Sequence, residues 1–300
     1  MILETQKLTK RYGDRTVLND VDLKIETDSI YGLVGPNGAG KTTLLSIIAG
    51  LRRPTSGQVL LQVSKQDVAV CPDVPEFEPW LTALEVTQLA ANLVGKASTK
   101  QWLQQLLDDA GLKDSMNRKV GSFSRGMTQR LALATTVVGD PKFVILDEPC
   151  SALDPSGRVE VLDMISRMGN HSTIIFSTHI LADVQRVCDQ VGVLDGGRML
   201  YQGSLETFLE ENTKPIWNIT LRGNTEKVKA ALARSHWVIG VQAVTRDKLQ
   251  VAGSSIEEIE RELVHVLAGA NARVVSIEPL DSNLEHAFLT LTGDKHKDLI

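Results

Sequence analysis

The sequence predicts an α/β fold with a mostly parallel sheet covered by helices on both faces, followed by a smaller α+β domain. Three apolar runs, residues 30–34, 143–146 and 173–177, have the length and continuous hydrophobicity of strands buried on both faces. The segments between them have helical spacing, so strands alternate with helices along the chain. Because ligands of such folds bind at the carboxyl ends of the strands, functional residues are expected directly after these runs.

Local patterns predict the elements around the apolar runs. Residues 21–25 alternate apolar and charged side chains, as a half-buried strand does, and Gly13 with Asp14 indicates a turn before it. The other predicted elements are a helix over residues 41–49, two short strands flanking residues 65–67, and helices over residues 82–94, 99–107 and about 123–138.

A change of composition near residues 210–215 indicates a domain boundary, so we expect a first domain over residues 1–211 and a second over residues 212–300. The second contains no phosphate-binding or metal-binding motif. Its predicted order of strand, helix, strand, strand, helix and strand is typical of a ferredoxin-like arrangement. These elements cover residues 217–221, 226–234, 238–244, 248–251, 256–267 and 272–277.

Two local features are expected near the C-terminus. Ser255 and Glu258 have the spacing of a capping box at the start of a helix. A last short helix is expected to include Leu284, Phe288 and Leu289.

Composition limits the class of protein. The chain has 300 residues, of which 42% are hydrophobic, and a net charge of −5, so charge does not favour nucleic acid as a partner. Cys71, Cys150 and Cys188 form no C-x-x-C pair, and we expect reduced thiols. The first residues do not resemble a leader, and no apolar stretch approaches the roughly 18 residues of a membrane span. We therefore expect a soluble, unexported chain.

Residues 35–42 read Gly-Pro-Asn-Gly-Ala-Gly-Lys-Thr, an intact G-x-x-x-x-G-K-[ST] loop between a strand and a helix. Its glycines let backbone N–H groups turn toward phosphate oxygens, and the helix N-terminus adds partial positive charge. We expect Lys41 to reach the β and γ phosphates and Thr42 to bind Mg²⁺. The residues expected to hold the nucleotide here are Gly35, Pro36, Asn37, Gly38, Ala39, Gly40, Lys41, Thr42 and Thr43.

Polar residues follow the other two apolar runs, as the fold class predicts. Asp147 ends the second run and can hold Mg²⁺ directly or through water. The next residue, Glu148, can polarise the water that attacks the γ-phosphate, because phosphoryl transfer needs mainly positioning and charge stabilisation. His179 follows the third run and can bond the γ-phosphate. The predicted chemistry is hydrolysis of a nucleoside triphosphate.

Three further motifs occur in the order found in one known family. Residues 124–131 read Ser-Arg-Gly-Met-Thr-Gln-Arg-Leu, residues 151–155 read Ser-Ala-Leu-Asp-Pro, and residues 177–179 read Ser-Thr-His. Together with the phosphate loop, they resemble the signature sequence, the D-loop and the switch histidine of ABC transporter ATP-binding subunits, over roughly residues 2–210. Arg125 occupies a position that is usually glycine-like. The resemblance implies a P-loop NTPase fold of ABC type, with an antiparallel β subdomain and a helical subdomain.

The resemblance also implies how ATP is held. In this family two ATP-binding domains enclose two nucleotides, so Ser124 and Gly126 would contact ATP held by the other protomer of a homodimer or heterodimer. Tyr12 fits the aromatic residue that stacks on adenine, with Val17 beside it. Asp154 of the D-loop is expected at the same interface.

Asp73 departs from the family pattern. The family usually has glutamine at this position after the third strand, and a carboxylate there would add negative charge near the phosphates and Mg²⁺. We expect Asp73 at the metal site. In relatives the next segment receives the coupling helix of the membrane subunit; an exposed Phe77 and Trp80 would suit that contact, and buried packing is the alternative.

The leading functional hypothesis is an ATPase subunit that powers a separate membrane permease. Because no span was found in the sequence, the pore would come from another polypeptide, and the chain would lie peripherally at the cytoplasmic face of the membrane. The single ATP-binding domain, the basic signature residue Arg125 and the small C-terminal domain resemble bacterial ABC-2-type exporters. The C-terminal domain could bind a ligand, stabilise the dimer or contact the permease; dimer support or regulation is favoured.

Two alternatives remain at this point. One is a soluble ABC ATPase that acts on ribosomes or DNA, although such relatives usually have paired ATP-binding domains or a long coiled coil, and this chain has no sustained heptads. The other is a regulatory module that binds ATP with little hydrolysis. Co-purification with a polytopic membrane protein would separate the leading hypothesis from both.

Overall fold

The computed structural model describes residues 1–151, 153–212 and 216–279, together with residues 288 and 291. Among these residues the chain divides into two units, the first ending at Leu205 and the second beginning at Glu206. Each unit has a hydrophobic core of its own. Within the described residues, no helix is both long and apolar enough to cross a bilayer.

Two sheets form most of the first unit. A three-stranded antiparallel sheet has the order β2-β1-β4, with β1 at Leu3–Tyr12, β2 at Arg15–Ile25 and β4 at Ser56–Leu61. The second sheet has six strands. From one edge to the other they are β5 (Val68–Cys71), β6 (Phe143–Leu146), β7 (Thr173–Thr178), β3 (Ile30–Val34), β8 (Gln190–Asp195) and β9 (Arg198–Ser204).

The six-stranded sheet is parallel except for one edge strand. Strands β5, β6, β7, β3 and β8 pair in parallel, and β9 pairs with β8 in antiparallel orientation. Every residue of β3, β6 and β7 is buried, as their continuous apolar sequences predict. The predicted mostly parallel sheet is confirmed. Since β6, β7 and β3 are neighbours, the loops that follow them meet at one edge of the sheet.

Helices cover this sheet and form a separate helical region. Helices α2, α3 and α4 contact one another around a small apolar core that includes Ala91, Leu103 and Val138. Thr82 starts α2 with a complete capping box, in which its side chain and that of Glu85 each accept a backbone N–H. The helices of this unit are α1 (Lys41–Ile48), α2 (Ala83–Leu93), α3 (Lys100–Asp109), α4 (Arg125–Thr136), α5 (Pro155–Gly169) and α6 (Leu181–Val187). The next helix, α7 (Leu205–Asn212), begins at the last residue of the unit.

The second unit has the predicted ferredoxin-like order. Its four strands pair in antiparallel orientation in the order β11-β12-β10-β13, and Trp237 is 2% exposed in the core. Element ends differ from prediction by at most two residues because terminal turns depend on capping. The elements are β10 (Ile216–Leu221), α8 (Thr225–Leu232), β11 (Val238–Ala243), β12 (Lys248–Gly253), α9 (Ile256–Gly269) and β13 (Val274–Pro279).

Only half of the predicted capping box at α9 forms. The Ser255 hydroxyl accepts the Glu258 N–H at 3.2 Å, but the Glu258 carboxylate accepts from the hydroxyl of Ser254. The neighbouring serine thus replaces the backbone donor that a full box requires. Of the last predicted helix, Leu284 and Leu289 lie outside the described residues, whereas Phe288 is helical and buried.

Candidate active site

The glycine loop joins β3 to α1 in a conformation that depends on glycine. Gly38 and Gly40 have φ angles of +84° and +109°, which L side chains rarely adopt. A Cβ atom on Gly35 would lie 2.1 Å from the carbonyl oxygen of Leu194. Within the described residues, no side chain caps α1, so its first N–H groups can bind an anion. The loop therefore fits a phosphate group.

Lys41 connects this loop to the end of β6. It is the first residue of α1 and is only 6% exposed. Its Nζ donates to the carbonyl oxygens of Gly35 and Pro36 at 2.7 and 3.3 Å, and lies 3.1 Å from Oε1 of Glu148. A nearly buried ammonium is thus held between two carbonyls and one carboxylate, at the place where phosphate oxygens are expected.

Glu148 has a strained backbone and two charged or titratable partners. Its φ angle of +46° is uncommon for a residue with a side chain. Its Oε1 faces Lys41, and its Oε2 lies 2.9 Å from Nδ1 of His179. Strained conformations persist only where the surroundings fix them, and they cluster at functional sites. We call Lys41, Glu148 and His179 the charged triad, after the ion pair between Lys41 and Glu148.

Ser177 joins the two acidic residues, a role that its place in the sequence does not by itself indicate. It is fully buried at the penultimate position of β7. Its hydroxyl donates to Oδ1 of Asp147 at 2.6 Å and accepts the N–H of Glu148 at 2.8 Å. A hydroxyl near the end of an apolar strand could have indicated this contact, but only the adjacency of β6 and β7 shows its partner.

Asp147, Thr42 and Asp73 supply the oxygen atoms proposed for a metal. The Asp147 side chain is 8% exposed and lies at the end of β6, whereas Thr42 is exposed in the first turn of α1. Hydroxyl and carboxylate oxygens are the ligand type that Mg²⁺ prefers, so these residues fit that ion. The structure pairs Asp73 with the D-loop, because its carboxylate accepts a hydrogen bond from the hydroxyl of Ser151.

The signature and D-loop residues form a second group at two helix starts. Ser124 caps α4 by accepting the Met127 N–H at 3.3 Å, and Asp154 caps α5 by accepting the Gly157 N–H at 3.0 Å. A Cβ on Gly126 would lie 3.7 Å from the side chain of Leu153, so the two motifs are adjacent. Within the described part of the chain, the side chains of Ser124 and Asp154 form no hydrogen bond or ion pair with the charged triad. The D-loop backbone does contact it, because the N–H of Ser151 donates to the carbonyl of Glu148 at 3.0 Å.

The two residues expected near adenine have different surroundings. Tyr12 is 41% exposed; its hydroxyl accepts from Arg52 at 2.8 Å, and the Nζ of Lys10 lies 5.0 Å from its ring centroid. Two cations therefore flank an accessible aromatic ring. Val17 lies beside the glycine loop, since a Cβ on Gly40 would be 3.0 Å from its carbonyl oxygen.

Two neutral thiols lie near the acidic residues. The carbonyl of Cys71 accepts the N–H of Asp147 at 2.9 Å, and Cys150 follows Glu148 by two positions. Burial raises the pKa of both thiols to about 12, so they stay protonated at neutral pH. All three cysteines are free, as the sequence predicts.

Comparisons with known proteins identify the family. A family model described as "ABC transporter" matches residues 18–151. The uncharacterised ABC transporter ATP-binding protein YxlF of Bacillus subtilis is 35% identical over 80% of this chain and 82% of its own length. The chain belongs to the ATP-binding proteins of ABC transporters. The bacitracin transport ATP-binding protein BcrA of Enterococcus faecalis is 30% identical to this ABC ATPase over 97% of the chain and 96% of its own length.

Structural similarity supports the same family. A solved structure described as the ATP-binding subunit of an ABC transporter superposes on this ABC ATPase with a TM-score of 0.64 at 29% identity. The match covers 70% of this chain and 93% of that chain. The predicted ABC-type fold is confirmed, and the chain is a nucleotide-binding ATPase of this family. ATP-binding subunits of ABC transporters work with membrane permease partners.

Proposed function

We propose that this chain dimerises around ATP and hydrolyses it to power a separate membrane permease, as the ATP-binding subunit of an ABC-2-type exporter. The observation that carries the proposal is the charged triad at the glycine loop, because it combines a phosphate-binding lysine with a candidate general base. Similarity to a relative named for bacitracin transport supports a role in transport. The chain would be held at the cytoplasmic face of the membrane by its permease.

Nucleotide binding would use groups that are already placed. The N–H groups of the glycine loop and the first turn of α1 would bind the phosphates, and Tyr12 with Val17 would contact adenine. Thr42 and Asp147 would hold Mg²⁺, with Asp73 nearby; when bound, the ion neutralises charge on the phosphate oxygens. The Lys41 ammonium would exchange Glu148 and the two carbonyl oxygens for phosphate oxygens, which form stronger charge-assisted hydrogen bonds.

Hydrolysis would depend on the orientation of Glu148. When Lys41 binds phosphate, Oε1 of Glu148 is left to accept a proton from the attacking water, while the contact with His179 holds Oε2. The Ser177 hydroxyl fixes the backbone of Glu148 and the carboxylate of Asp147 at the same time. The chain thereby positions one base and one metal ligand with a single side chain.

The proposed dimer uses the second group of site residues. Ser124, Gly126 and Asp154 lie at the starts of α4 and α5. Ser124 is exposed and Gly126 is half-buried. Because the family encloses two nucleotides between two ATP-binding domains, we assign these three residues to the nucleotide of a partner protomer. Residues 1–211 would form the ATP-binding domain, and residues 212–300 would support the dimer or regulate it.

The Glu148→Gln variant tests the proposal. It removes the base but keeps the size of the side chain, so we expect ATP with Mg²⁺ to convert the monomer into a stable dimer on size-exclusion chromatography. Lys41→Ala should stay monomeric, because it loses phosphate binding. A Glu148→Gln chain that binds ATP and remains monomeric would contradict the sandwich.

Co-purification tests the link to transport. We expect the chain, expressed in its native membrane background, to purify with a polytopic membrane protein. Recovery with ribosomes or DNA and without any membrane protein would contradict the transport proposal, even if the ATPase activity is present.

A further inference from the structure

Asp183 is a buried carboxylate that the proposed hydrolysis does not use. It lies on α6, four residues after His179, and is 1% exposed. Its Oδ1 accepts a hydrogen bond from Nε of Arg158 at 2.5 Å, and its Oδ2 accepts from the hydroxyl of Thr178 at 3.4 Å. Burial raises the pKa of Asp183, and the hydrogen bond and charge of Arg158 oppose that shift. The charged form of this carboxylate is therefore stabilised by Arg158.

Thr178 connects Asp183 to the backbone around His179. It is the last residue of β7 and is 2% exposed. Its hydroxyl oxygen accepts the N–H of Ile180 at 2.9 Å. The residues before and after His179 are therefore bonded to each other, and Asp183 contacts one of them. Movement of Asp183 would change the segment that presents the imidazole to Glu148.

Arg158 connects Asp183 to the D-loop. It lies in the first turn of α5, where its N–H donates to the carbonyl of Asp154 at 3.0 Å. The side chain of Asp154 caps the same turn through Gly157. The ion pair between Arg158 and Asp183 thus joins the helix start that follows the D-loop to the segment that carries His179.

We propose that Arg158 and Asp183 are positioning residues that couple the D-loop to the switch histidine, so that dimer contacts at the D-loop set the orientation of His179. This inference rests on the proposed function. Arg158 is half-buried and Asp183 is buried. An ion pair with a buried member adds little stability compared with apolar side chains of similar size, but it holds its two side chains in one geometry. The structure offers an internal comparison, because the exposed pair Arg186 and Asp163 joins the same two helices at 3.0 Å.

The comparison gives a matched experiment on the full chain. Arg158→Met removes the half-buried guanidinium that pairs with a buried carboxylate, and Arg186→Met removes the exposed guanidinium between the same helices. With ATP and Mg²⁺, we expect Arg158→Met to lower kcat about tenfold or more while KM for ATP changes less than about twofold. Arg186→Met should leave both constants near wild type. Equal kcat values for the two variants would overturn the inference.

A double variant separates positioning from folding. In Arg158→Met/Asp183→Leu no charge is left buried without a partner, so we expect Tm to stay near that of wild type while kcat remains low. Wild-type Tm together with wild-type kcat would refute the coupling.

The ring signal of His179 in NMR gives a readout that does not depend on turnover. It should shift in Arg158→Met and not in Arg186→Met, and an unchanged signal in both would also refute the coupling. A wild-type chain that hydrolyses no ATP would refute the proposed function itself, whereas normal turnover in Arg158→Met would refute only the coupling.

Discussion

Glu148 lies where backbone strain and two electrostatic contacts meet. Its left-handed backbone costs about 1–3 kcal/mol, and the Ser177 hydroxyl, Lys41 and His179 are the contacts that hold it. Its identity as an acidic residue after an apolar strand could be predicted from the sequence. Its conformation could not, because it depends on Ser177 of β7, Lys41 of α1 and His179 after β7, which lie far away along the chain.

Ser177→Ala should lower both the stability of the chain and its activity. The variant leaves the Asp147 carboxylate and the Glu148 N–H each short of one hydrogen bond, which costs about 1–3 kcal/mol of unfolding free energy. We expect kcat for ATP to fall about tenfold or more, because Glu148 loses its backbone anchor. Steady-state kinetics and urea unfolding measure the two effects.

Ser172→Ala is the matched control. Ser172 is also buried, and its hydroxyl donates to the carbonyl of Pro141 at 2.6 Å. This hydrogen bond does not involve the charged triad. A comparable loss of stability with normal kcat is expected. If both serine variants show the same kcat, Ser177 does not position the acidic residues.

At the scale of elements, the phosphate loop and the strands β3, β6 and β7 could be predicted because their signals are local. The strand β8 was not predicted individually, since Gly192 interrupts its apolar pattern. The structure gives the reason for that glycine: a Cβ there would lie 2.1 Å from the Tyr31 hydroxyl. The contact between Asp73 and Ser151 was likewise beyond prediction, because it joins segments from β5 and the D-loop.

Gly35→Ala tests whether the glycine loop depends on close packing against β8. The new Cβ would lie 2.1 Å from the Leu194 carbonyl, so loop or strand must move. We expect a loss of about 1–3 kcal/mol in unfolding free energy and at least a tenfold weaker affinity for a fluorescent ATP analogue.

Gly139→Ala controls for the added methyl group. A Cβ on Gly139 meets Val94 only at ordinary contact distance, 3.7 Å. Nucleotide affinity should stay within about twofold of wild type. Normal nucleotide affinity in Gly35→Ala would show that the loop tolerates a side chain and would contradict the packing argument.

At the scale of the whole molecule, two cores predict two unfolding transitions. One core packs around β3 and α1, and the other lies between α8, α9 and their sheet. Since the proposed nucleotide site lies in the first unit, ATP added to the Glu148→Gln chain should raise that unit's transition in scanning calorimetry by at least RT ln(1 + [ATP]/Kd) in free energy, because dimer formation adds to binding.

Leu263→Ala identifies the second transition. Leu263 is 2% exposed in the core of the second unit, and its truncation should lower that unit's stability by about 2–5 kcal/mol. A single transition that ATP shifts as a whole would show that the two units unfold together.

The most direct test of the account is the Mg²⁺-dependent ATPase rate of wild type, Glu148→Gln and Glu226→Gln. Glu226 is an exposed carboxylate on α8, so its variant controls for the loss of one negative charge. We expect turnover by wild type and Glu226→Gln, abolished by EDTA, and a rate at least about 100-fold lower for Glu148→Gln. Equal rates for wild type and Glu148→Gln would contradict the assignment of Glu148 as the base and, with it, the proposed mechanism.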